Sequence, residues 1–402
     1  MSDRSEEVRM PRLALFVAVC LIAANMRTTI TGVGPLLEQI ADDLGTTTVA
    51  LGALASIPLL AWALVSPLAH GLSERFGVTR TLLWSLIALG VGTLWRSLPG
   101  VEVDLWLGTA MIGASLAVAN VLMPAVIRRG FAGHVPLTMG VYTALLAGVG
   151  ALAAGIVVPV SLAAPAGTAL GWRTALAATG ILLPPAIIAW LIVMRRLPRQ
   201  SSAPRETSPG RTGIWRDPVA WQVAAYMGLQ SASFYILLTW MAPYATAHGR
   251  TSVAAGVDVM IYQILGIVGS LALPAVLRGR GRRWVPASAP VLAIVGVAGM
   301  LTTPDLLTLW ALPAGLSAGA SLGMSLTLMA ERARDHRGAT ALSGMAQSVG
   351  YLLAALGPVV FGGLHGIDGG WLLPFALLLA VLVAQLVVGA GVGRRERFVL
   401  AG

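Results

Sequence analysis

The 402-residue chain has no lysine, a single cysteine, and charged side chains at only 11% of its positions. Each shortage closes off a class of chemistry. A phosphate-cradling loop ends in Gly-Lys-Ser/Thr, so a chain without lysine cannot be an ATP-driven pump of that kind. Cys20 alone allows neither an intrachain disulfide nor a cysteine-ligated metal, and it reads as a buried thiol. No His-Glu-x-x-His run occurs, and the five histidines (His70, His134, His248, His336 and His365) fall at the ends of apolar segments or between them. No paired carboxylates lie within those segments. The expectation is a protein that is not an enzyme and uses no cofactor and no metal.

What the chain has in excess is apolar length. Hydrophobic residues make up 56% of it and the mean hydropathy is +0.80, whereas a soluble domain carries roughly a quarter charged residues. The surplus is gathered into runs of about 20 residues, the length that crosses a hydrocarbon core. Twelve such runs are read, near 13–34, 49–71, 81–98, 105–127, 137–161 and 172–194, then 218–243, 252–277, 285–303, 306–330, 338–364 and 371–393. No small-residue cleavage site follows the first run, which is expected to be retained as a span.

Arginine placement checks that count. With twelve spans and both termini on one side, that side holds twenty-three of the 27 basic residues. The opposite side holds only Arg96, Arg173 and Arg250, and Arg27 lies within the first span. Basic residues favour the cytoplasmic face, so both termini are expected there, in a multi-pass protein of the cytoplasmic membrane. The net charge of +10 then calls for contact with lipid headgroups rather than a nucleic acid. A proline-, serine- and arginine-rich stretch from Arg195 to Asp217 reads as a linker. The expected layout is an N-terminal tail 1–12, a six-helix bundle 13–194, a cytoplasmic linker 195–217, a second six-helix bundle 218–393 and a C-terminal tail 394–402, the plan of transporters built from two related bundles.

Short motifs narrow this further. Glu74-Arg75-Phe76-Gly77 after the second span resembles the acidic-basic-x-glycine signature of the major facilitator superfamily, with His70 where the usual first glycine would stand. Asn25-x-Arg27, Ile30-Thr31-x-Val33-x-Pro35-Leu36 and Asn120-Val121-Leu122-Met123-Pro124 look like the cyanate/2-nitroimidazole branch of that superfamily. Gln230, Phe234-Tyr235 and Trp240 are similar to it as well, as is the run from Ser343 to Leu352 followed by Gly357-Pro358. The resemblance implies an all-α membrane protein of twelve transmembrane helices in two bundles, moving a small solute. It implies a gating role for Glu74, Arg75 and Gly77.

Polar side chains inside spans need partners, and ionisable ones mark solute paths. Arg27 lies deep in the first span and has two readings: a ligand for solute, or a strut bound to carbonyls freed near Gly32 and Gly34. Asn25, Asn120, Tyr142, Gln230, Tyr235, Tyr262, Gln263, Gln347 and Tyr351 join it as candidates, and the resemblance adds Trp240. Gln347 and Tyr351 share a helix face. A cavity of amides, phenols and one guanidinium suits a small planar or anionic solute. Asp258 is the one acid clearly within a span, a candidate for energy coupling but expected to sit in interfacial water. Gly315, Gly319 and Gly323 form a stripe that lets a second helix approach closely. The expected function is secondary transport by a monomer whose partners are solute and lipid. A transport-inactive receptor on the same fold, or an efflux pump of broader specificity, stays open.

Overall fold

The computed structural model describes residues 12–131, 134–165, 167–196, 214–278, 282–332 and 336–394. Among them there is no strand. The first half contains α1 (Arg12–Thr31), α2 (Leu37–Leu44), α3 (Thr48–Gly52), α4 (Ser56–Phe76), α5 (Val78–Trp95), α6 (Glu102–Gly130), α7 (Val135–Leu162), α8 (Gly171–Ala178) and α9 (Leu183–Arg196). The second contains α10 (Pro218–Ala247), α11 (Ser252–Leu277), α12 (Val285–Thr302), α13 (Leu307–Glu331), α14 (His336–Asp368) and α15 (Leu372–Arg394). The expected tails and most of the linker fall outside the described residues.

Local sequence explains the interruptions. Pro35 has no N–H for the carbonyl of Thr31, so α1 ends there and a 3-10 turn, Gly34–Leu36, leads into α2. Thr47 starts α3 by accepting the N–H of Ala50, and Asp217 starts α10 by accepting those of Val219 and Ala220. Only Gly77 separates α4 from α5, at φ +85°, a conformation that a side chain would strain.

With α1–α2, α3–α4 and α8–α9 each counted as one path, the helices make twelve crossings. Among the described residues, eleven stretches are long and apolar enough to span a membrane. The twelfth path, α10, carries Gln230, Ser231 and Ser233, yet it is buried over nearly its whole length. Neighbouring helices rather than lipid cover those polar groups.

The two halves repeat one packing scheme. In the first, α1 lies on α7, α4 and α5 lie on α6, and α5 also meets α9; in the second, α10 lies on α14, α11 and α12 lie on α13, and α12 also meets α15. The glycine stripe serves the α11–α13 contact: a Cβ on Gly319 would stand 1.6 Å from the carbonyl oxygen of Gly266, and one on Gly315 2.4 Å from that of Tyr262. Between the halves, α7 lies along α11 and α4 along α14.

The halves close on each other at the end away from the termini. There Gly34 abuts the carbonyl of Leu238, Gly256 that of Ala154, and Gly366 the side chain of Val49. The hydroxyl of Thr246 donates to Glu38 across the same seam. One apolar core runs through both halves, while a second, around Val223, Met324 and Val392, is built from second-half residues alone.

Two expectations need correcting. Asp258 is not in interfacial water: it is 0% exposed, with Arg250 Nε 2.8 Å away and the Thr308 hydroxyl donating at 2.6 Å. The start of α11 packs against the start of α13, and that contact excludes water from the carboxylate. Cys20 is half-buried rather than buried.

Candidate functional site

Arg27 sits one turn before the break that ends α1. Gly150 on α7 leaves room for it, since a Cβ there would lie 2.8 Å from the Arg27 Cβ. The hydroxyl of Thr31 donates to the Gly150 carbonyl at 2.7 Å, which pins α1 to α7 one turn further on. The guanidinium therefore leaves its own bundle and reaches the other half, its carbon 5.6 Å from the centre of the Phe234 ring on α10.

Aromatic residues build the surround. Phe234 stacks on Tyr262 of α11 at 5.8 Å and meets Tyr235 edge-on at 5.0 Å. Trp62 of α4 contacts Tyr235 at 6.4 Å and Tyr351 of α14 at 5.2 Å, both edge to face. The Tyr142 hydroxyl points at the sulfur of Met26, 3.0 Å away. Five spans, from both halves, thus meet around one cation.

Much of the hydrogen-bonding capacity here is unused. Among the described residues Arg27 makes no ion pair and its side chain no hydrogen bond, so it is not the carbonyl-bound strut. Trp62 Nε1, Asn25 Oδ1 and Gln263 Nε2 are buried without partners; Asn25 donates from Nδ2 to the Leu21 carbonyl at 2.7 Å. Gln230 and Gln347 spend their amides within their own helices, on Ser231 at 2.7 Å and Ser343 at 2.8 Å. Asn120 is half-buried on α6. A free guanidinium and indole N–H between flat rings present donors and π-faces to whatever enters, and no carboxylate pairs with the cation. Such a setting recognises a flat group with acceptor edges.

Trp240 does not belong with this group. Its indole N–H donates to the Pro358 carbonyl at 3.0 Å, and its ring fills the space left by Gly52 and Gly362 at the closed end of the molecule. In the signature after α4, Arg75 stacks over the Phe76 ring at 5.2 Å, beside Glu74 and the Gly77 turn. Trp62 was not anticipated from the sequence. Its one signal there is an indole amid the aliphatic run Leu59-Leu60-Ala61-Trp62-Ala63-Leu64.

The repeated packing and the aromatic group around Arg27 between the halves describe a transporter plan. A model of the Major Facilitator Superfamily matches residues 15–358. The chain belongs to that superfamily. The 2-nitroimidazole transporter of Escherichia coli (strain K12) is 35% identical to this facilitator over 95% of the chain and 96% of that protein. The cyanate transport protein CynX of the same organism is 27% identical, over 93% and 96% respectively. A bacterial homologue of the human lysosomal transporter Spinster, in an inward-facing and unoccupied conformation, matches the fold with a TM-score of 0.75 at 17% identity, over 97% of each chain. The facilitator resembles the cyanate/2-nitroimidazole branch across its length, and it is a multi-pass membrane transporter.

Proposed function

We propose that this protein moves a small flat solute, either a cyanate-like anion or a neutral heterocycle such as a nitroimidazole, by alternating access across the cytoplasmic membrane. The observation that carries the reading is the unpaired Arg27 guanidinium stacked on Phe234 between the two halves. The half-buried guanidinium has no counter-ion among the described residues, and an acceptor-rich solute that covers it would supply the missing partner. The rings of Phe234, Tyr235, Trp62 and Tyr351 give a planar molecule faces to lie against, while the guanidinium fork offers it parallel N–H donors. The sizes and charges of the solutes named for its relatives fit this setting. Rocking of one bundle against the other would close the seam at one end while opening the other, and the arginine bias supports cytoplasmic termini. Asp258, tied to Arg250 and Thr308, braces α11 against α13 rather than relaying protons.

Uptake of labelled cyanate and of 2-nitroimidazole into proteoliposomes, with binding measured on the same preparation, tests the reading. Saturable uptake of at least one solute by the native protein, lost in Arg27→Ala with folding retained, is expected. Normal uptake by Arg27→Ala would remove the site from the proposal. Binding without uptake would favour a receptor.

A further inference from the structure

Of the three arginines expected on the face away from the termini, two have carboxylate partners: Arg173 pairs with Asp43 and Arg250 with Asp258. Arg96 has none. It caps α5, is only 1% exposed, and its Nε and Nη2 are buried without a hydrogen-bond partner. Its backbone is held in place by α6, where a Cβ on Gly108 would fall 2.6 Å from the Arg96 Cβ. The side chain lines a cavity of about 10 Å³ shared with Thr29 of α1, Leu54 in the turn before α4, Pro58 of α4, and Thr109 and Ile112 of α6. The Thr29 hydroxyl is likewise buried with no partner. Thr109 already donates to the Leu105 carbonyl at 2.7 Å.

We infer that this cavity binds one small monovalent anion of the halide class. Its free polar groups are overwhelmingly donors: the unused N–H groups of Arg96 and the O–H of Thr29. No carboxylate lines it. A water molecule brings two hydrogens of its own and would find few acceptors there, whereas an anion accepts from every donor and neutralises a buried cation. The volume admits about one water-sized body, which favours a monatomic ion over sulfate or a flat organic solute. None of the residues lining it belongs to the aromatic group around Arg27, so the two cations serve separate ligands. Bound there, the ion ties α1, α5 and α6 together and stabilises the first bundle.

The test uses the purified full-length protein in gluconate at constant ionic strength, titrated with chloride, bromide or sulfate while its melting is followed. A saturable rise of a few degrees in Tm is expected with either halide and none with sulfate. Thr29→Val should weaken the halide response roughly five- to tenfold, and Arg96→Met should abolish it. Arg27→Ala should leave it intact. Should Arg96→Met not fold, anomalous diffraction from native crystals grown in bromide decides, with a peak expected beside Arg96. A halide-independent Tm, a response that follows Arg27 instead of Arg96, or a cavity without a bromide peak would overturn the inference.

Discussion

At the scale of single residues, Arg27 is governed by what it lacks. An arginine inside a membrane span is normally held by a carboxylate or by carbonyls, yet this half-buried one rests on a ring face. A cation over an aromatic ring gains about 0.5–2 kcal/mol, and the half-buried guanidinium keeps its N–H donors free for a ligand. Arg27→Lys keeps the charge but loses the planar fork and the stack. It should weaken solute binding by roughly 5- to 30-fold, equivalent to about 1–2 kcal/mol. Arg27→Ala should remove binding while shifting Tm by no more than about 2 °C, because no partner is orphaned. Calorimetry and thermal melting on the same samples check both. Trp62→Phe keeps the edge contact with Tyr351 and deletes the free indole N–H. A drop in affinity of about fivefold with unchanged Tm is expected if that donor meets the solute. Arg27 was legible in the sequence because a charge inside an apolar run is conspicuous. Trp62 was not, since an indole in a membrane span is ordinary and only the fold shows which way it faces.

At the scale of elements, two contacts hold α11 and α13 together, one polar and one steric. Asp258→Asn would leave Arg250 facing a neutral partner, and because that arginine is partly exposed the loss should sit near the low end for buried pairs, roughly 3 kcal/mol. Combining it with Arg250→Met should recover part of the loss, a coupling that a double-mutant cycle in detergent measures. Gly319→Ala should cost about 3 kcal/mol, since its new methyl group would meet the Gly266 carbonyl and drive the helices apart. A lowered melting temperature reads this out, and an unchanged one would mean the helices part freely. The glycine stripe was visible as a spacing of four, which by itself says that one face is smooth. Which helix uses that face depends on packing, and so does the burial of Asp258, whose partner Thr308 lies 50 positions along the chain.

At the scale of the molecule, the proposed alternating access requires the seam between the halves to open. Val49 and Gly366 face each other across it, and a Cβ on Gly366 would stand 3.9 Å from that of Val49, within the range a disulfide spans. In a background with Cys20→Ala, the pair Val49→Cys and Gly366→Cys should crosslink on oxidation, abolish uptake and release it again on reduction. Uptake that survives full crosslinking would mean this seam does not open during transport.

Hydropathy and arginine placement alone pointed to twelve crossings and a two-part plan, because a bilayer imposes length and polarity on each span independently of the others; the superfamily came from the motif Glu74-Arg75-Phe76-Gly77. Motif resemblance reached the branch, and depth within the spans together with that resemblance reached the polar candidates from Asn25 to Tyr351. Which of these share a site was decided only by tertiary structure. Gln230 and Gln347 turn to neighbours on their own helices, and Trp240 plugs the closed end. Phe234, Tyr262 and Trp62 converge on Arg27 from three different helices. Inside a membrane every span is apolar, so periodicity scarcely distinguishes the face toward lipid from the face toward a partner helix, and the contacts between helices must supply the difference.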